Sequence, residues 1–159
     1  MFKVLLKTLL LVAASSLWLV STTAYSSHDD PEAAAILQQL EENRRLIVAE
    51  NMHISEAAEA DFWAVYDTYR LEIGVLDAEG FKLLGEFRDH FEELSDVRAD
   101  KVMSTYFELE QKTLAVRQAY IGKFNAVISP KQTLRFYQIE NKLAAIIQAD
   151  ISAVTPLVP

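Results

Sequence analysis

Three histidines, three serines at helix-start positions and a surplus of carboxylates are the groups of this 159-residue chain that could do chemistry. Glu50-Asn51-Met52-His53 has the Glu-x-x-His spacing that puts a carboxylate and an imidazole on one helix face, as in di-iron bundles. Such a centre needs a second copy and two further glutamates, and no second copy occurs. No metal and no cofactor are therefore expected. A metal-responsive sensor using His53, Glu50 and His90 stands as the alternative. His28-Asp29-Asp30 has groups for a loose cation but reads as a frayed leader, and His90, four residues after Glu86, reads as a partly buried surface histidine. Ser55, Ser95 and Ser129 read as helix N-caps; none lies in a G-x-S-x-G elbow, and there is no Gly-rich phosphate loop. The chain does not read as an enzyme.

The elements that must position these groups are helices. Four Gly and four Pro are too few for sandwiches, barrels or βαβ folds, which need a turn residue every few positions. At 51% hydrophobic and 24% charged, the chain is not disordered. Zero Cys excludes disulfide scaffolds, thiolate zinc sites, cysteine nucleophiles and lipoprotein anchoring. A formal charge of −8 argues against nucleic-acid binding, which needs clustered Lys and Arg. What remains is one acidic, all-α domain.

Residues 1–24 stand apart. Lys3 and Lys7 precede an apolar run of 12, Leu9–Val20, interrupted only by Ser15 and Ser16. Small residues follow with a −3/−1 pattern at Thr22/Ala24 or Ala24/Ser26. This is the layout of a secretory signal peptide, cleaved after 24 or 26. The run falls short of the about 20 apolar residues that a membrane span needs. The mature protein is expected in the periplasm, with no stable membrane span. Removing 1–24 leaves 13 basic residues against 23 acidic, a net charge of −10.

Asp30-Pro31-Glu32 starts the first helix, with an acid at N-cap, Pro at N1 and a second acid in the first turn. Ile36, Leu37, Leu40 and Ile47 lie on one side of it, and Glu41, Glu42, Arg44 and Arg45 mostly on the other. It ends near Asn51–His53. Ser55 opens the second helix, running to about residue 93, with the longest seam in the chain. Phe62, Tyr66, Tyr69, Ile73, Leu76, Gly80, Leu83, Phe87, Phe91 and Leu94 follow at steps of four and three, which holds one stripe toward a partner helix. Gly74, Gly80 and Gly85 mark either a bend, near Gly80, or a close helix approach.

The third helix, from about 96 to 127, carries two neighbouring seams. One is Val102, Tyr106, Leu109, Thr113, Val116, Tyr120 and Val127; the other is Met103, Phe107, Leu114, Ile121, Phe124 and Ile128. That face is wider than a single helix contact needs. Ser129-Pro130-Lys131-Gln132 is a capping box. It opens the fourth helix, to about Asp150, with Leu134, Phe136, Ile139, Leu143, Ile146 and Ile147 as its apolar side. The expected domain is 30–151, followed by a tail, 152–159. Its expected architecture is an elongated antiparallel hairpin with two flanking shorter helices.

Ile54-Ser55 … Phe62-Trp63 and Ile128-Ser129 … Phe136-Tyr137 share one spacing, 74 residues apart. Ile128-Ser129-Pro130-Lys131-Gln132 resembles the LTxxQ motif, with Ile for Leu and Ser for Thr. Ile54-Ser55-Glu56-Ala57-Ala58 resembles a first copy that has lost its Gln. On these motifs the chain resembles the Spy/CpxP-like periplasmic family. The resemblance implies a four-helix, cradle-like fold that dimerises, with the motifs near the helix turns. It also implies ATP-independent chaperoning or envelope-stress regulation, with metal sensing in some branches. The acidic balance departs from the basic client-binding concavity of the best-known chaperone of the family, which favours the regulator branch.

Phe62, Trp63, Tyr66, Tyr69, Phe107, Tyr120, Phe124, Phe136 and Tyr137 are more large rings than a thin helical layer hides. Contiguous exposed apolar surface marks a partner site. Trp63, Tyr66, Phe107 and Phe124 are the residues expected to make that contact. The expected partners are proteins: unfolded clients, a regulatory target, or a second copy in a homodimer. A helical adaptor with one fixed partner is the further alternative.

Overall fold

Helix follows helix from residue 42 to Val154, and no strand occurs among the described residues, which are 42–159 of this computed structural model. They form one unit, Glu42–Pro159. The expected signal peptide, His28 and the helix start at Asp30-Pro31-Glu32 lie outside the described residues. Helix α1 covers 42–51 and α2 covers Glu56–His90. A single 3-10 turn, Phe91–Glu93, leads to α3, Asp96–Val127, and then to α4, Pro130–Val154.

Caps set most of these boundaries. Ser129 accepts from the Gln132 N–H at 3.3 Å and gives its own backbone N–H to Gln132 Oε1 at 3.0 Å, the reciprocal pairing of a capping box. Ser95 accepts from the Arg98 N–H at 3.4 Å. Ser55 departs from expectation: it holds the N-cap backbone shape but makes no side-chain cap bond. Ala58 stands where the later motif has Gln132, so there is no amide to complete a box. Helix α4 runs past Asp150 to Val154, because nothing opposes it before Pro156. Thr155 then turns extended, at φ −84° and ψ 120°, as the residue before a proline must.

The core gathers where α2, α3 and α4 converge. Phe62, Phe124 and Phe136 are fully buried, and Tyr66, Tyr69 and Tyr120 nearly so. Their rings meet mostly at an angle, the arrangement that suits the aromatic quadrupole. Phe124 and Phe136 are 4.4 Å apart, Tyr69 and Tyr120 5.3 Å, and Phe62 and Phe124 5.8 Å. Partner numbers fall along α3 as they rise along α2. The echoed aromatic pairs thus share one cluster, Phe62 and Phe136 lying 6.0 Å apart. Val48 of α1 and Met52, the residue after it, are buried.

Burial then fades. The long seam is buried at Phe62, Tyr66, Tyr69 and Ile73 but only half-buried at Leu76, Gly80, Leu83 and Phe87, and at Phe91 and Leu94, which fall beyond the end of α2 at His90 rather than within it as expected. No residue from 74 to 108 is buried. Fully burying a large apolar side chain contributes about 1.5–3 kcal/mol, and this stretch gains only part of that at each position. The glycines do not mark a close helix approach: a Cβ at Gly74, Gly80 or Gly85 would meet nothing within 4 Å. The helix is continuous through Gly80.

Charge sits inside as well. Glu140 of α4 pairs with Arg44 of α1 at 3.3 Å and with Arg70 of α2 at 3.6 Å, and Arg70 also reaches Asp77 at 3.2 Å. Arg44 therefore does not lie on the outer side of its helix. It precedes the buried Val48 and Met52 by four and eight residues, one helix face. Leu134, expected on the apolar side of α4, is instead 60% exposed.

Candidate interaction surface

The contact residues expected from the sequence separate into inside and outside. Tyr66 and Phe124 are 2% and 0% exposed, so neither offers a surface. Phe62, Trp63 and Phe136 surround Tyr66, while Phe62, Tyr69 and Phe136 surround Phe124. The reason is the return of α4, whose Phe136 fills the space between α2 and α3. Trp63 is half-buried, with the Arg45 guanidinium 4.1 Å from its ring centroid, a cation–π contact. Arg45 is also paired with Asp67. Phe107 alone of the four lies open, 59% exposed, its ring 5.4 Å from that of Tyr106.

Of the two seams on α3, the first turns inward. Leu109 and Tyr120 are buried, Val102, Thr113, Val116 and Val127 are half-buried, and only Tyr106 is exposed. The second seam is open along most of its length. Met103, Phe107, Leu114 and Ile121 are 45–59% exposed, while Phe124 and Ile128, beside the start of α4, are buried. Steps of four, seven and seven residues keep the four within about 40° of one another on a helix of 3.6 residues per turn. They form a stripe about 27 Å long at about 1.5 Å per residue.

Polar residues edge this stripe. By helical position Glu110 and Arg117 lie on one edge, Gln111 and Gln118 on the other. Arg117 donates to Asn141 Oδ1 and, through its carbonyl, accepts from the Tyr137 hydroxyl at 2.6 Å. Glu108 and Lys112 form an exposed pair at 2.8 Å, one helical turn apart. Their mutual hydrogen bond, and then their charges, lower the Glu108 carboxyl pKa and raise that of the Lys112 ammonium. On α2, Leu71, Val75 and Phe81 are also exposed.

The motif residues serve structure. Gln132 and Ser129 close the capping box at Pro130, Ile128 is buried, Ile54 is half-buried, and Ser55 makes no cap bond. His90 is exposed rather than partly buried, and His53 and Glu50 are exposed too. Among the described residues, no three His, Cys, Asp or Glu side chains converge as a metal site would require. No described helix is long and apolar enough to cross a membrane. Three tyrosines hold their protons above the ordinary tyrosine range. Burial first, and then Glu140, pushes the Tyr69 hydroxyl well up, and Tyr137 rises to about 12 chiefly through burial. Tyr120 also rises to about 12, through burial and its 2.5 Å hydrogen bond to Glu72.

Sequence reading missed the Arg44–Glu140–Arg70 cluster. Its signal was present, since Glu140 falls between Phe136 and Leu143 on the apolar side of α4. Comparison with family models, with curated proteins and with solved structures gave no match.

Proposed function

We propose that this chain is an exported, Spy/CpxP-like periplasmic protein that acts by binding rather than catalysis. It works without ATP, as a homodimer, holding unfolded clients or restraining a regulatory partner by apolar contact. In this reading the leader is cleaved after 24 or 26. Helices α2 and α3 form the arms of an elongated antiparallel hairpin, and α1 and α4 flank one end of it as a cradle.

One observation carries the reading. Residues 74–108 contain no buried side chain, yet expose Val75, Phe81, Val97, Met103, Tyr106 and Phe107. Helices so poor in internal cover gain stability when another chain covers them. The two-motif layout and the Gln132 box agree with the resemblance.

Aggregation of an unrelated denatured protein, followed by light scattering without ATP, tests the client-holding form. The purified protein should slow aggregation at equimolar amounts. The double variant Val75→Ser/Phe81→Ser should lose most of the effect while keeping its helical circular dichroism. Absence of any effect at large molar excess overturns client holding. Recovery of one dominant co-purifying protein then supports the regulatory form.

A further inference from the structure

We infer that the face shared by α3 and α4 docks on an anionic lipid bilayer, with Phe107, Leu114, Ile121 and Leu134 entering the interfacial layer and the cations of α4 meeting the headgroups.

Charge is divided along the chain. Residues 42–110 carry 17 acids against seven bases. From 111 to 149 there are six bases, Lys112, Arg117, Lys123, Lys131, Arg135 and Lys142, and a single acid, Glu140. Glu140 is buried against Arg44 and Arg70. Every charge that this stretch shows to solvent is therefore positive, in a chain whose total is −8.

Apolar and cationic residues share one face. The Arg117 guanidinium donates to Asn141 Oδ1, which sets α3 and α4 edge to edge there. Leu114 and Ile121 lie three and four residues from Arg117 on its side of α3, and Leu134 lies seven residues from Asn141 on its side of α4. All three are exposed, and Phe107 lengthens the α3 row to about 21 Å. Lys131, Arg135 and Lys142 are exposed and fall within about 40° of one another on α4, beside Leu134. Of the two acids between Phe107 and Ile121, Glu108 is paired with Lys112 at 2.8 Å, and Glu110 lies two turns from Arg117 on the same edge.

Open apolar side chains beside cations suit a bilayer interface, where the first enter the headgroup–acyl boundary and the second meet lipid phosphates. An acidic polypeptide would answer the cations, but its apolar side chains need a walled groove. Here the row stands open, 45–60% exposed at each position. The acids of α2 do not cancel the attraction. They belong to the next helix, about 8–10 Å away, and charge is screened over about 8 Å at physiological salt.

Flotation with vesicles tests the inference, comparing equal parts phosphatidylglycerol and phosphatidylethanolamine with pure phosphatidylcholine. Residues 1–24 are omitted, because their apolar run would bind vesicles by itself; the unit Glu42–Pro159 is untouched. The protein should float with the anionic vesicles at low salt. Binding should fall at least about ten-fold on phosphatidylcholine, or in about 0.5 M salt. Lys131→Glu/Lys142→Glu and Ile121→Ser/Leu134→Ser should each weaken it by a similar factor while keeping the helical circular dichroism. Val75→Ser/Phe81→Ser, on α2, should float like the parent. The chain has no cysteine, so a polarity-sensitive dye attached at I121C should brighten on the vesicles and one at E59C should not.

Absence of flotation, equal binding to both lipids, or charge reversal without effect overturns the inference. So does a protein that ignores vesicles yet binds poly-glutamate through Lys131 and Lys142, which points to an acidic polypeptide instead. Client holding without flotation sinks the bilayer and leaves the function proposed above standing. Flotation without any client or regulatory partner does the reverse.

Discussion

The side-chain amide of Gln132 binds the carbonyl of His53: Nε2 donates to it at 3.0 Å, while Oε1 accepts from the Ser129 hydroxyl at 2.9 Å. Beside it, Arg135 Nε donates to the Asn51 carbonyl at 2.6 Å. Carbonyls at a helix end lack intrahelical donors, and here the start of α4 supplies them to the end of α1. One glutamine therefore fastens the turn before α4 to the turn before α2.

Gln132→Ala should lower stability by about 1–2 kcal/mol, since it removes a cap partner and an inter-helix bond together. Ser55→Ala should cost no more than about 0.5 kcal/mol, because Ser55 makes no cap bond. Urea unfolding of the two variants checks this. Equal losses would show that neither the cap pairing of Gln132 nor its bond to His53 adds stability.

Glu140 is 4% exposed and receives both Arg44 and Arg70. Taking the carboxylate away leaves two guanidiniums in poorly solvated surroundings without the acceptor they share. Glu140→Ala should cost about 3 kcal/mol or more. A thermal melt lowered by only a degree or two would mean that the cluster is held by other groups.

Gly80→Ala should stabilise the protein. The position is helical, has ordinary backbone angles, and leaves an added methyl nothing to strike. A gain of up to about 1 kcal/mol follows from helix propensity and from the smaller entropy of the unfolded chain. A loss of stability would reveal a neighbour within methyl contact of Gly80.

Alkaline pH should weaken the fold through its tyrosines. Tyr120 and Tyr137 are held to about 12, whereas an unfolded tyrosine titrates near 10. Between those values the unfolded chain has released protons that the folded chain retains, so stability falls as pH rises. It should be insensitive to these groups below pH 10 and decline from about 10 to 12. Tyr120→Phe should flatten that decline, as measured by unfolding at stepped pH.

The helices were legible because their punctuation is local. Ser95-Asp96 and Ser129-Pro130 stand where α3 and α4 begin, and the α2 seam picks out the more buried side from Phe62 to Phe87. Depth was not legible. Periodicity assigns Ile73 and Leu83 to one stripe but is silent on whether a third helix covers them; α4 covers Phe124 and leaves Phe107 open. The same limit explains Tyr66, whose burial depends on Phe136 seventy residues away. Arg44 was misjudged, and Glu140 passed over, for another reason. Charge outweighed position in reading them, although each occupies a core-facing step of its helix.

The ring cluster holds one end of the long helices tightly and leaves the other end, around Phe91–Glu93, with little to grip. Cohesion in this molecule is lopsided, and its amide protons should be lost to heavy water first at that remote tip. Opening travels inward from there, as a rope frays from its cut end. Around Phe91–Glu93 the half-buried apolar side chains should come free in that opening while the aromatic anchor stays set.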